Sequence, residues 1–552
     1  MERIWLKSYP EGVPADIDVN QYASLVALFD DCVKRYAERP AFHSMGKTIT
    51  FAELERASRS FGAWLQGRGF KKGMRVALMM PNCLQYPVAM FGTLRAGCTV
   101  VNVNPLYTAP ELRTLLEDSG AAAVLVLENF AHTLEHALAG TCVQHVVTTQ
   151  VGDAFPVPKR WAVNLAVKHV KRMVPAWHIP GAIAFNDARA PELPATAVDP
   201  ADVAFLQYTG GTTGRPKGVV LTHANMTANV RQTLAWAGAA LAEGEETVVT
   251  ALPLYHIFAL TANLLLFFRL GGRNLLIPNP RDLPAFVAEL KRMRFSGITG
   301  VNTLYAALLD APGFDAACRA NHGALKIAVA GGMAVQRSVA ERWQRATGAP
   351  LVEGYGLTEA SPNVCANPID AREFSGKLGL PLPETEVSIR DERGAKLALG
   401  EVGEICVRGP QVTRGYWNAP EETAQAFFPD GWLRTGDLGR IDERGYVEFV
   451  DRRKDVIVVS GFKAYPSEIE AVALAHPGVK DAGAVGMPHP KSGEAVALFV
   501  VKRDPALSAE ALAAHCAERL APYKRPVRIE FRDALPKSPL GKVLHRELKA
   551  AA

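Results

Sequence analysis

The sequence predicts an α/β protein with a large N-terminal part and a smaller C-terminal α+β part, on three observations. At 552 residues the chain exceeds what one hydrophobic core serves, so two or more domains are expected. Over its first two-thirds, short apolar runs alternate with amphipathic stretches, which is the pattern of βαβ units and parallel sheets. Beyond about residue 375 the texture changes to alternating strands and tight turns.

The first series begins at VALMM (76–80), a buried strand, followed after Pro81 by a helix ending near Gly97. CTVVNV (98–103) is the next strand. ELRTLLEDSG (111–120) has helical spacing and a glycine stop, and AAVLVLE (122–128) returns to strand. A second series runs through VVTALPL, RNLLIP, SGITGV, KIAVAGG and PLVEGYG. Two series imply two packed α/β subdomains. The later strands, with DERG turns at 391–394 and 442–445, form a mainly β region. A last α+β unit starts near Arg453, with helices near 467–475 and 508–520.

Composition narrows the class. With 48% hydrophobic and 21% charged residues, neither disorder nor a fibre is indicated. The eight cysteines stand singly, with no CxxC and no zinc spacing, as in a protein of a reducing compartment. The start, MERIWLKSYPEG, lacks an apolar signal core, and Ile257 to Phe268 is too short to span a bilayer. A cytoplasmic protein is expected. A net charge of +5 is too weak to argue for nucleic acid. Its placement is uneven: residues 154–186 contain no acid but hold Lys159, Arg160, Lys168, Lys171 and Arg172.

Four motifs carry chemistry. YTGGTTGRPKG (208–218) follows an apolar strand. Gly210, Gly211 and Gly214 let backbone N–H groups close on an anion, Thr209, Thr212 and Thr213 add hydroxyls, and Lys217 adds a cation. The set suits a polyphosphate without matching the GxxxxGK[ST] pattern. In EGYGLTEASP (353–362), Gly354 and Gly356 suit a tight turn, Tyr355 offers a flat face to a purine, and Thr358 can bond a phosphate. Glu359 is a candidate Mg²⁺ ligand, although alone it reads as a first-turn residue of a helix. In TGD (435–437), Asp437 suits ribose hydroxyls, with Arg452 within reach of the same sugar. Spacing alone favours a plain β-turn there. Lys542, in PKSPLGKVLHREL (536–548), reads from chemistry alone as a solvated lysine.

In this order the motifs resemble the adenylate-forming superfamily of acyl-CoA synthetases, luciferases and nonribosomal adenylation domains. WLKSYPEGVP at the start, NVNPLYTAPEL (102–112), LPLYHIFALTANLLLF (252–267) and NPRDLP (279–284) narrow the resemblance to bacterial long-chain fatty-acid–CoA ligases, end to end. The resemblance implies that ATP and a fatty acid form acyl-AMP and pyrophosphate, and that coenzyme A then takes the acyl group, for fatty-acid degradation or lipid synthesis. Residues 208–218 would hold the phosphates, with Thr209 and Glu359 near Mg²⁺. Gly354, Tyr355 and Gly356 would border adenine, and Asp437 and Arg452 the ribose. Lys542 would bridge substrate carboxylate and α-phosphate, and His256 would sit at the acyl pocket, where the residues alone also allow a core histidine. The resemblance also implies an adenylate-forming domain over 1–451, a hinge at 452–455 centred on Lys454, and a small mobile α+β domain over 456–552 with Gly461 lining the thiol channel.

Two further expectations concern surfaces. Ile257–Phe268 is apolar all round, with Gly331 and Gly332 leaving room beside it for an acyl tail; the same residues also read as plain core filling. Ala162, Leu165, Ala166, His169, Val170, Met173, Val174 and Trp177 share one helical face, with Lys168, Lys171 and Arg172 off it. That pattern fits either an interfacial helix over 159–178 at the inner membrane or a surface helix packed on its own domain. The expected partners are the fatty acid, that membrane and a second copy in a homodimer, with no nucleic acid. Two other classes stay open: an acyl-AMP ligase loading a carrier protein, and a lipid-capturing peripheral protein.

Overall fold

A computed structural model describes residues 3–209, 216–371, 373–538 and 541–552. The chain divides into two compact units: Tyr9–Thr385 with Arg408–Phe427, and Met1–Ser8 with Glu386–Val407 and Phe428–Ala552.

The larger unit holds two sheets, as the two series of strands predict. In the first, Arg75–Met79 pairs in parallel with Thr99–Val103 on one side and Ala123–Leu127 on the other. The last two strands are almost wholly buried, which explains their unbroken apolar runs. Val203–Thr209 joins this sheet in parallel, and Lys217–Thr222 folds back on it antiparallel. In the second sheet, Ile327–Gly331 lies parallel between Gly297–Gly300 and Leu351–Gly356. The hairpin Pro40–Thr50 precedes the first sheet in sequence yet completes the second, parallel to Arg273–Leu276. Nothing in its local sequence announces that pairing.

Helices begin and meet for local reasons. Thr50 and Glu53 form a reciprocal capping box at the start of Phe51–Gly67. That helix crosses Gln85–Arg95 where Gly62 faces Gly92: a Cβ on either would stand 2.7 Å from a carbonyl oxygen of the other helix. The run from Ile257 to Arg269 is helical throughout, with a π turn over Leu260–Leu265. Its two polar interruptions are anchors. Asn263 donates to the Val249 carbonyl at 3.1 Å and accepts from Thr299, while Thr261 donates to the Ser361 carbonyl at 2.7 Å.

The smaller unit contains an antiparallel sheet of Glu386–Arg390, Gly403–Arg408, Leu433–Ile441 and Val447–Arg452. Both DERG turns close alike: Asp391 and Asp442 each accept two backbone N–H groups at 2.8–2.9 Å. A second sheet is built on the long hairpin Val479–His489 with Gly493–Lys502, and the helices Pro466–Leu474 and Ala509–Arg519 belong to the same unit.

The basic segment departs from expectation. Its helix covers Val157–Leu165, continues as a π turn over Ala166–Val170, and stops. Arg172 is left-handed, with φ 50°, and Pro175 disfavours helix at Val174. Met173, Val174 and Trp177 therefore do not extend one helical face. Trp177 turns inward instead, its indole N–H donating to Glu128, and Lys168 also reaches Glu128 at 3.1 Å. Among the described residues no helix is long and apolar enough to cross a membrane.

Candidate active site

Two groups of candidate residues stand in the two units. In the larger unit, Thr209 ends one strand and Lys217 begins the next, paired directly opposite each other. The ends of the glycine-rich segment are thereby held side by side. Gly210, Gly211, Thr212, Thr213 and Gly214 lie outside the described residues.

The second motif is not a turn at Gly354 and Gly356, as the sequence suggested. Both lie in the strand Leu351–Gly356, antiparallel to Asn363–Ala366, and the turn is the 3₁₀ segment Thr358–Ala360. Glycine is required at 356 by the return strand, because a Cβ there would meet the Pro362 carbonyl oxygen at 2.2 Å. At Gly354 a Cβ would make ordinary contact. Tyr355 and Thr358 are half-buried beside this turn.

Glu359 is held at its backbone and at its side chain. Its carbonyl accepts from the Thr413 N–H at 2.7 Å, and its Oε1 accepts from the Tyr416 hydroxyl at 2.9 Å. The Lys217 ammonium stands 5.4 Å from the centre of the Tyr416 ring, and Tyr416 bridges to the backbone of Val219. Burial first, then the Glu359 charge, raises the Tyr416 phenol far above its ordinary pKa, so it remains a donor. One tyrosine thus joins the lysine of the first motif to the carboxylate of the second.

His256 caps the buried Ile257–Arg269 helix: its Nδ1 accepts from the Phe258 N–H at 3.3 Å, which leaves the proton of the neutral ring on Nε2. Gly331 faces the Phe258 ring, where a Cβ would stand 3.1 Å from it, so Phe258 fills the space expected beside Gly331. At Gly332 a Cβ would meet only Val301, at 3.9 Å. Gly354 is the cross-strand partner of Gly331, and Glu353 that of Ala330. Burial raises the Glu353 carboxyl to about 7, against backbone N–H groups of Val335 and Gly376 and the charge of Arg337.

In the smaller unit, Asp437 and Arg452 are cross-strand partners, with Arg452 Nε 3.5 Å from Asp437 Oδ1. Asp437 is only 7% exposed, so it is no surface turn charge. Lys542 is half-buried rather than solvated, held in a small hairpin by Ser538. Burial, then Arg452, push its ammonium down to about 8; Asp437 opposes and Lys454 adds to the fall. Lys454 is exposed in the turn after the strand, closed by the Asp455 N–H on the Arg452 carbonyl. Gly461, with φ 85°, follows Ser460 at φ 51° in a two-residue hairpin turn, with open space above it.

Two family models match the chain: the AMP-binding enzyme model over residues 29–417, and the AMP-binding enzyme C-terminal domain model over 468–542. The chain belongs to the AMP-binding enzyme family. This AMP-binding enzyme is 54% identical over 557 residues to a long-chain-fatty-acid–CoA ligase of Salmonella typhimurium, covering 100% of this chain and 99% of that one. It is 47% identical to another of that name from Haemophilus influenzae, covering 100% and 98%. Among solved structures, ATP-bound MatB from Rhodopseudomonas palustris is similar with a TM-score of 0.83 and 27% identity, covering 95% of this chain and 98% of that one.

Two residues of the AMP-binding enzyme escape sequence reasoning. Tyr416 sits in RGYWN, a string with no ionisable pattern to mark it. His545, three residues after Lys542, bonds Glu470 at 2.7 Å and stands 3.8 Å from Asp455. Burial lowers its pKa, but Glu470, Asp455 and Asp451 together raise it. A histidine near a C-terminus carries no signal until the fold brings acids to it.

Proposed function

We propose that this enzyme is an ATP-dependent long-chain fatty acid–CoA ligase that works through an acyl-adenylate. The full-length 54% identity to a long-chain-fatty-acid–CoA ligase carries the reading, and the linked Lys217, Tyr416 and Glu359 support it with chemistry.

A carboxylate cannot acylate a thiol near neutral pH, since its leaving group is an oxide. In the first step a carboxylate oxygen bonds the α-phosphorus of ATP and pyrophosphate leaves. Bringing an anion to a polyanion demands positioning and positive charge. Lys217 and the 208–218 segment meet the phosphates, Asp437 and Arg452 the ribose, and Lys542 the carboxylate and α-phosphate. Thr209 and Glu359 supply the oxygen donors that Mg²⁺ prefers, and Mg²⁺ adds charge neutralisation when bound. Tyr416 keeps the Glu359 carboxylate in place. In the second step the coenzyme A thiolate attacks the acyl carbonyl and AMP leaves, its phosphate taking the bonding pair. A hinge at 452–455 lets the residues after it, Gly461 among them, serve this step. His256 and Gly332 border the acyl group.

Thioester formation measured across fatty acids from short to very long tests the reading, with coenzyme A and a holo carrier protein as rival acceptors. Efficient transfer of long chains to coenzyme A is expected. Transfer only to the carrier, or only of short acids, overturns it.

A further inference from the structure

Twelve large apolar side chains stand exposed among the described residues, and five of them, Val157, Trp161, Leu165, Val170 and Met173, fall within seventeen residues. The helix that carries the first four buries none of its residues. A surface helix of a globular protein normally turns its apolar side to the core; this one turns it to solvent. The spacing is also adjusted. Val157, Trp161 and Leu165 are four apart along α-helix, and Val170 follows after five, across the π turn. A π turn takes more residues per revolution than an α turn, so the fifth residue stays within the same arc. Trp161 is 67% exposed and Val170 76%.

Charge accompanies the stripe. No acid occurs between residues 154 and 186. Lys168 is paired to Glu128, and Lys159 is drawn to the Met45 carbonyl. Lys171 and Arg172 are exposed beside Val170 and Met173, with no acidic partner among the described residues. Apolar and aromatic side chains on one face, with cations at its end, suit the boundary between acyl chains and anionic headgroups.

We propose that residues 157–173 form a docking surface for an anionic lipid bilayer, the five apolar side chains entering the headgroup boundary and Lys171 and Arg172 meeting lipid phosphates. This goes beyond the ligase reading and does not depend on it, since binding is measured without substrates.

The full-length chain is sedimented with vesicles of phosphatidylglycerol and phosphatidylethanolamine, and with phosphatidylcholine alone. Binding to the anionic vesicles is expected, weakening about fivefold per cation removed, so roughly 30-fold in Lys171→Gln/Arg172→Gln. Trp161→Ser/Leu165→Ser is expected to weaken it about tenfold or more. Brominated lipids should quench tryptophan fluorescence in the parent chain and much less in Trp161→Phe. Absence of binding to anionic vesicles overturns the proposal, as do unchanged binding in both double variants and full quenching in Trp161→Phe. If Trp161→Ser/Leu165→Ser instead turns a dimer into a monomer without altering vesicle binding, the face is a contact between copies and the bilayer proposal is wrong.

Discussion

Tyr416 donates its hydroxyl hydrogen to Oε1 of Glu359 across 2.9 Å, joining chain segments 57 residues apart, while its ring faces the Lys217 ammonium. The Glu359 backbone is held by the Thr413 N–H, and the tyrosine bond fixes one oxygen of its carboxylate. A hydrogen bond to a charged acceptor contributes about 1.5–3 kcal/mol. Tyr416→Phe should therefore slow pyrophosphate release roughly 10- to 100-fold and raise the Mg²⁺ concentration needed for half-maximal rate. Conversion of supplied acyl-adenylate to thioester should be spared. Equal losses in both half-reactions would mean that Tyr416 only supports the fold.

Lys542→Ala should lose adenylation yet still turn supplied acyl-adenylate into thioester; equal loss of both steps with the fold intact refutes its role. The pH profile adds a second check. The ammonium is the useful form, and burial with Arg452 pushes it down to about 8. Adenylation should fall as pH rises through about 8. Lys454 contributes to that lowering, so Lys454→Gln should move the falling limb to higher pH. A limb that stays in place assigns it to another group.

A proline at the hinge tests conformational change. Lys454 is exposed in the short turn between Arg452 and Asp455. Proline fixes φ near −65° and removes an N–H, which restricts the backbone change a hinge requires. Lys454→Pro should leave acyl-adenylate formation near the parental rate while thioester formation collapses, seen by rapid-quench measurement of each step. Thioester formation at the parental rate would move the hinge elsewhere.

Glu353 links pH to stability. Its Oε2 is buried with no hydrogen-bond partner among the described residues, and its pKa rises from 4.5 to about 7. The folded state then holds a proton that the unfolded state has released. The Glu353 contribution to stability is full below about 4.5 and is lost as pH rises through about 7, by roughly 3 kcal/mol at most. Glu353→Gln should flatten that slope in urea unfolding at pH 5 to 8. Equal slopes in parent and variant would show that Glu353 ionises without cost.

The legible parts of the site were those whose chemistry is local. Glycines, threonines and a lysine in one string mark a candidate phosphate segment, and strand lengths bounded by Gly and Pro announced both α/β series. Gly356 was legible as a glycine but not for its reason, since the clash it avoids lies with Pro362 on a returning strand. Trp177 followed helical spacing on paper. Pro175 and the pull of Glu128 took it inward; of the predicted face Leu165, Val170 and Met173 stand exposed, joined by Val157 and Trp161, which that face did not include.

The amino-acid sequence by itself determined the α/β architecture, the order of the four motifs and the family, because those rest on periodicity and on contiguous residues. Only the tertiary structure decided that Lys217, Tyr416 and Glu359 form one cluster, that Asp437 lies buried against Arg452, and that the hairpin Pro40–Thr50 completes the second sheet. Each of these is a meeting of residues distant in sequence. Spacing along a chain fixes which face a side chain occupies, while strand order and helix packing fix what that face meets.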